Sequence, residues 1–286
     1  MIVEIERTEQ IIDFAWELSR DSRSATYPRV ESKAELAKSL ARALNSEHQR
    51  IIAYYGRDDE LQGVCVYHWD SEENYSQASH FLINAGSYSR VADEFISFLA
   101  KRLGGYDFLI GVPAANSSAI GYFEQRGFAC IESSIDTRLY NLQPPQVTAS
   151  KPAEKITADN FAEYAAFHDK FALPAEMYYH SKNLKRDLEH FRVLALRRRD
   201  GKIYGSIFAR ILPDNGADIV GLFSDGDVPS EKEALINQLL LALYSEFGAM
   251  DEVIFFIDEG SGSELDLALG AGFKIKDRYR LYKQSL

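Results

Sequence analysis

Apolar and polar residues along this chain fall into one order of elements, and the order runs twice. Residues 2–5 alternate as a short strand. Thr8 then stands where it can cap a helix whose apolar positions Ile11, Ile12, Ala15, Trp16 and Leu18 follow helical spacing. The second copy has Thr157, Phe161, Tyr164, Ala165 and Phe167 in the same roles. Less regular helical stretches follow at 32–44 and 175–188. Next comes a hairpin in each half. The strand 50–55 turns at 57–60 into 61–69, and the strand 191–196 turns at Asp200-Gly201 into 202–212. Asp-Gly between alternating apolar runs is a strong hairpin signal, because both turn residues tolerate positive φ. Further strands are expected at 80–83 and 218–223. Long amphipathic helices over 89–103 and 230–247 lead to short apolar strands at 108–112 and 253–257. A short helix precedes each of Gly127-Phe128 and Gly272-Phe273. The closing strands carry Arg-Leu-Tyr, at Arg138–Tyr140 and Arg280–Tyr282. One half reads β-α-α-β-β-β-α-β-α-β-β.

The repetition extends to residue identity. RIIAYYGRDDELQG from Arg50 and RVLALRRRDGKIYG from Arg192 share Arg50/Arg192, Ala53/Ala195, Arg57/Arg199, Asp58/Asp200 and Gly63/Gly205. The Gly-Phe pairs lie 272 − 127 = 145 residues apart, about half the chain. A period that long means two copies of a whole domain, since solenoid units run to roughly 20–50 residues. Pro144, Pro145 and Pro152 deny ladder donors and resist helix, so the boundary is expected there: copy one over 1–143, a linker over 144–153, copy two over 154–286.

Composition narrows the classes. With 46% apolar and 26% charged residues, each half has material for a core. A formal charge of −11 is a poor surface for a phosphate backbone, so no nucleic-acid partner is expected. It would suit an amine substrate, but acidity is common among soluble proteins and the plainer reading is that it serves solubility. No run approaches the ~20 apolar residues of a membrane span. The start, MIVEIERTEQ, lacks the basic-then-apolar order of a secretory signal, and a cytoplasmic protein without a membrane partner is expected. Cys65 and Cys130 sit in alternating apolar runs and read as buried thiols in a reducing compartment. The six histidines show no metal-ligand spacing, and no metal is expected.

The element order, and the segment Asn116-x-x-Ala119-x-x-Tyr122-Phe123-Glu124-x-x-Gly127-Phe128, resemble the GNAT (Gcn5-related N-acetyltransferase) fold. The hairpin with its late Gly63 is similar to that family's strand, acidic turn and hydrophobic-Gly signature. The resemblance covers nearly the whole chain. It implies an α/β (α+β) protein of two tandem GNAT-like domains, each a mixed, mostly antiparallel sheet flanked by helices. It also implies acyl transfer from acetyl-CoA to an amine, carried by a small molecule or a peptide.

Such chemistry needs backbone N–H donors at a helix start for the pyrophosphate, a donor for the thioester oxyanion, and proton transfers at the amine and the thiolate. The family places Gln/Arg-x-x-Gly-x-Gly/Ala before its long helix. Here that stretch is Ser87-Tyr88-Ser89-Arg90-Val91-Ala92, and only Ala92 fits. Gly86 lies just ahead, and Ser87, Ser89 and Arg90 have groups for a phosphate. The resemblance places Gly86, Ser87, Ser89, Arg90, Val91 and Ala92, with Asn116, Ala119 and Phe123, at the cofactor. In copy two, Asp225-Gly226-Asp227-Val228-Pro229-Ser230-Glu231 would repel a pyrophosphate, and Ser230 with Glu233 reads as a capping box. The family's acid tyrosine falls on Phe123, which cannot donate. Tyr122 is adjacent, about 100° round the helix, and is the candidate acid. His80 is the candidate base, with His68 and Glu72 as further possibilities. In copy two the tyrosine and Asn positions are Ala268 and Ser261, the pattern of a structural partner. Arg197-Arg198-Arg199 with Lys202 reads as a solvated hairpin tip.

Two main readings follow. One is an N-acyltransferase with its chemistry in copy one. The other is a non-catalytic ligand- or protein-binding module that has lost CoA. Acyl or aminoacyl transfer from another donor is a third, and the net charge counts against a tRNA-borne one. The 87–92 turn discriminates: N–H groups facing an open cleft between the strands at 80–83 and 108–112 favour catalysis, and Tyr88 or Arg90 filling it favours the module.

Overall fold

The computed structural model describes residues 1–144, 152–174, 177–226 and 228–286. Most of the expected linker, and Asp227 of the second acidic turn, lie outside the described residues. In chain order the elements are β1 (Ile2–Glu4), α1 (Ile12–Ser19), α2 (Lys33–Leu44), β2 (Gln49–Tyr55), β3 (Leu61–Asp70), β4 (Tyr75–Ile83), α3 (Tyr88–Arg102), β5 (Asp107–Pro113), α4 (Ser117–Gln125) and β6 (Ala129–Tyr140). They continue as β7 (Glu154–Lys155), α5 (Phe161–His168), α6 (Ser181–Arg186), β8 (Phe191–Arg197), β9 (Ile203–Leu212), β10 (Gly216–Ser224), α7 (Pro229–Phe247), β11 (Glu252–Asp258), α8 (Gly262–Gly270) and β12 (Lys274–Ser285).

Two compact units emerge, and they do not follow the halves of the sequence. Unit 1 is residues 1–134 plus 277–286, and unit 2 is residues 135–276. In unit 1 the strand order is β1-β2-β3-β4-β5 and then the end of β12; in unit 2 it is the end of β6, then β11-β10-β9-β8-β7. Each copy thus hands its closing strand to the other copy's sheet. In unit 1, β12 runs antiparallel to β5, from Tyr279 opposite Pro113 to Ser285 opposite Asp107. Each closing stretch is one long strand instead of the two short ones expected.

The period-2 pattern explains why these strands look almost wholly apolar. In unit 1, Ile52, Tyr54, Cys65, Tyr67, Phe81 and Ile83 pack under α3 and α4. Their neighbours Ile51, Ala53, Val64, Val66 and Leu82 pack under α1 and α2 on the other face. Unit 2 repeats this, with Leu194, Leu196, Ala209 and Ile219 beneath α7 and α8, and Val193, Ala195 and Phe208 beneath α5. A sheet covered on both faces needs apolar residues at every position. The repeated glycine of the hairpin has a packing cause. A Cβ on Gly63 would lie 2.7 Å from Val91 of α3, and one on Gly205 would lie 3.3 Å from Leu235 of α7. Glycine lets the long helix sit close against the sheet.

Several local expectations change. Thr8 opens a short 3-10 turn and α1 begins only at Ile12. Among the described residues of the stretch 175–188, the α-helix is the short α6, and a 3-10 turn starts at Leu188. Ser32 does cap α2, accepting from the Glu35 amide at 3.1 Å. Ser230 caps nothing: α7 starts at Pro229 with no side-chain cap, because proline's fixed φ already suits the first helical position. Cys65 is buried, but Cys130 is exposed, since β6 begins on the surface. Among the described residues no helix is long and apolar enough to cross a membrane, and no group of His, Cys, Asp or Glu is placed to hold a metal.

Candidate functional site

The site of interest lies in unit 1, where β4 and β5 part. The two strands pair in parallel from Tyr75 opposite Asp107 to Ala78 opposite Ile110. Beyond that point β4 keeps its ladder to β3, with a register shift between Val66 and Tyr67, up to Ile83 opposite Gly63. Open α/β sheets bind ligands in such crevices at the carboxyl ends of parallel strands.

The chain leaves β4 through a tight turn. Asn84 donates to the Gln62 carbonyl at 3.1 Å, Ser87 donates to the Asn84 carbonyl at 3.0 Å, and α3 starts at Tyr88. Ser87 precedes the helix but makes no side-chain cap. This uncapped start of α3 borders a cavity of about 280 Å³ lined by Ala85, Gly86, Ser87, Tyr88, Ser89, Arg90 and Ser118. A helix start is an anion site by its free donors and its dipole. Three serines and an arginine surround this one. Nothing lies within 4 Å of a Cβ built on Gly86, so the backbone there is open to a ligand. Arg90 is held outward: its guanidinium donates to the Tyr54 hydroxyl at 3.1 Å and to Gln62 at 2.6 Å.

The remaining residues named from the motif sit behind this cavity, in the core. Val91, Ala92, Ala119 and Phe123 are fully buried. Phe123 joins an aromatic cluster with Phe81, Phe128 and Tyr282, at centroid distances of 6.1, 4.9 and 5.3 Å. Asn116 caps α4, accepting from the Ala119 amide at 3.1 Å, and donates to the Ala25 carbonyl at 2.9 Å. Tyr88 points inward, against Phe81 of β4 and Tyr122 of α4, at 6.5 and 5.9 Å. Its buried hydroxyl has no partner among the described residues, and burial pushes its pKa well up. The Tyr122 hydroxyl donates to Asp93 at 3.0 Å. Burial first, then Asp93, raises its pKa, so it holds its proton firmly. His80 is buried with Nε2 unpartnered among the described residues, and burial pushes its pKa down to about 4. His68 pairs with Gln77 at the other end of β4, and Glu72 lies in the turn beyond.

Thus Gly86, Ser87, Ser89 and Arg90 come together around one cavity, while His80, Tyr122, Asn116 and Phe123 do not reach it. Ser118 is the residue that sequence reasoning missed. Its place inside Asn116-x-x-Ala119, at the first turn of α4, was the signal available.

In unit 2 the matching turn is acidic and tied down. Lys170 lies 3.8 Å from Asp225, and Ser224 donates to Glu231 at 3.1 Å. A wider cavity of about 690 Å³ lies between α5, the hairpin turn and Asp225. Arg197 is no free tip: it is ion-paired with Glu154 and, at 2.9 Å, with Glu163.

Comparison with known proteins assigns the architecture. No protein-family model matches the sequence, and no curated protein does. Solved structures do. A GCN5-related N-acetyltransferase from Sphaerobacter thermophilus superposes with TM-score 0.66 at 13% identity, over 99% of this chain and 95% of that one. A tandem GNAT protein from the clavulanic acid biosynthesis pathway gives 0.61 at 11% identity, over 99% and 98%. A GCN5-related glucosamine N-acetyltransferase region of a fungal multi-domain GH3 beta-N-acetylglucosaminidase gives 0.65 at 11%, over 99% of this chain and 38% of that one. The chain has the fold of the tandem GNAT acetyltransferases.

Proposed function

We propose that this chain is a GNAT-type N-acyltransferase that takes its acyl group from acyl-CoA in unit 1 and passes it to an amine. The observation that carries the reading is the cavity at the uncapped start of α3, lined by Ser87, Ser89, Arg90 and Ser118. Its donors suit the diphosphate of CoA: helix N–H groups, hydroxyls and one guanidinium. An acyl-CoA would bring a thioester whose acyl group is already activated. Ser87, Ser89 and the α3 amides would hold its anionic end. Arg90, already braced by Tyr54 and Gln62, would contribute charge without first being ordered. The amine acceptor accords with the charge of −11.

A second reading, a binding module without chemistry, draws support from Tyr88 and Tyr122. The Tyr88 ring is packed inward at the site, and Tyr122 commits its proton to Asp93. Neither His80 nor Tyr122 then serves in proton transfer.

Calorimetric titration of the full chain with acetyl-CoA and CoA tests the first reading. One site per chain is expected. Arg90→Glu should weaken it at least roughly tenfold, the scale of losing a charge-assisted contact and adding a repulsive one. Unchanged affinity in a folded Arg90→Glu protein would sink the assignment. Tight binding without acyl transfer to any amine screened would favour the module.

A further inference from the structure

The crevice between β4 and β5 is not empty: the chain fills it with its own residues. Past the last parallel pair, each strand has edge groups turned toward the gap. On β4 the Phe81 amide donates to the Thr26 hydroxyl at 3.1 Å. On β5 the Gly111 carbonyl accepts from the Tyr27 amide at 2.9 Å. Residues 26 and 27, from the connection between α1 and α2, therefore stand between the strands as a surrogate strand. They bond to one neighbour on each side.

The segment is tied at several points. Ala25, Thr26 and Tyr27 are buried, at 0%, 2% and 4% exposure. Asn116 at the start of α4 donates to the Ala25 carbonyl at 2.9 Å. The Tyr27 ring meets Tyr279 of β12 edge-on at 4.8 Å. Arg29 pairs with Asp277 at 2.9 Å, with 8% and 14% of their side chains exposed, and Ser22 bonds to both. Not every bond in this clasp is complete, since the Arg29 Nε has no partner among the described residues.

We propose that residues 22–29 form a strap that must leave the β4–β5 crevice before an extended ligand arm can enter it, so that the strap gates the site. The proposal rests on the reading of the α3 cavity as an acyl-CoA site. The physical argument is exclusion. A buried amide and a buried carbonyl each need a partner. An arm lying along β4 would need to satisfy Phe81 N–H and Gly111 C=O, and these are the groups that Thr26 and Tyr27 hold. The arm of CoA carries amide groups that can supply both an acceptor and a donor. Two occupants cannot share one ladder position. The α3 cavity is independent of the strap: none of residues 22–29 lines it. An anion alone can therefore bind with the strap in place, whereas a ligand with an arm must displace it. The affinity of the armed ligand is then its intrinsic affinity multiplied by the fraction of molecules with the strap open.

The test compares adenosine diphosphate, which has no arm, with CoA, using the full chain. In the parent protein, CoA should bind no more tightly than adenosine diphosphate. Thr26→Val removes the acceptor for Phe81, and Asp277→Asn loosens the clasp. Either should tighten CoA by about tenfold and leave adenosine diphosphate unchanged. Thr26→Ser keeps the hydroxyl and should behave as the parent does. Hydrogen exchange supplies a readout that needs no substitution. Saturating CoA should strip protection from the Tyr27 amide while Phe81 keeps its own, and adenosine diphosphate should change neither. A Tyr27 amide that stays protected with CoA bound would overturn the strap while leaving the donor site standing. So would an unaltered ratio of the two affinities in the variants. Failure of both ligands to bind would overturn the donor site, and the gate with it.

Discussion

His80 shows how a single residue can be well placed by pattern and wrongly equipped by environment. It sits on β4 near the crevice, where a base would be wanted. Burial withdraws water from its ring and favours the neutral form, with the pKa down to about 4. An unfolded histidine protonates near 6.5. As pH falls below 6.5 the unfolded chain binds a proton that the folded one refuses. The stability due to neutral burial is therefore complete above 6.5 and is lost progressively as pH falls toward 4. The span is worth about 3 kcal/mol. His168, also lowered by burial, acts in the same sense in unit 2. Urea denaturation between pH 7 and pH 4.5 should show a steep loss in the parent protein. His80→Leu should flatten it, and equal slopes in the two proteins would mean that His80 is not buried neutral. No sequence pattern discloses this, because burial depends on what α1, α2 and their connection lay over the strand.

At the scale of elements, much of the architecture was legible. The hairpins, the two long helices and the Gly-Phe endings follow from apolar periodicity and turn chemistry, which act within a few residues. Gly127 and Gly272 adopt φ of 77° and 99°, the left-handed conformation glycine tolerates at a helix end. What stayed hidden was set by contacts distant in sequence. Asn116 was assigned to the cofactor by motif, yet it both caps α4 and latches Ala25, 91 residues away. Asn116→Ala should cost on the order of 2–3 kcal/mol, combining a lost cap with a buried carbonyl left unpaired. Asn116→Asp keeps the cap and removes the latch. If chemical denaturation finds the Asp variant as stable as the parent, the latch contributes nothing. The cavity at α3 was half legible: Gly86, Ser87, Ser89 and Arg90 are contiguous, whereas Ser118 joins them only through folding.

For the whole molecule, the departure from expectation is the exchange of closing strands. Residues 277–286 belong to unit 1 and residues 135–140 to unit 2. The sequence marks where each copy ends but carries no local signal for which sheet its last strand joins, since both carry Arg-Leu-Tyr. A chain cut after residue 143 keeps every element of copy one and loses the partner of β5. It also loses Asp277 beside the buried Arg29 and Tyr282 in the aromatic cluster. An unpaired β5 edge and a stranded buried charge each disfavour folding. Residues 1–143 alone should be insoluble or lack a cooperative thermal transition. Adding residues 277–286 as a separate peptide should restore one, and a well-folded 1–143 fragment would refute the exchange.

That exchange bears on how such a gene can age. After duplication, a spare copy usually drifts until it is deleted, because nothing depends on it. Here deletion is closed off by mechanics: whatever stands at its acidic turn or at Ala268, the second copy supplies the strand that pairs with β5 in unit 1. Selection then acts on the second copy through the foldability of its sibling. Substitutions in residues 277–286 should be far less tolerated by a living cell than those in the acidic turn.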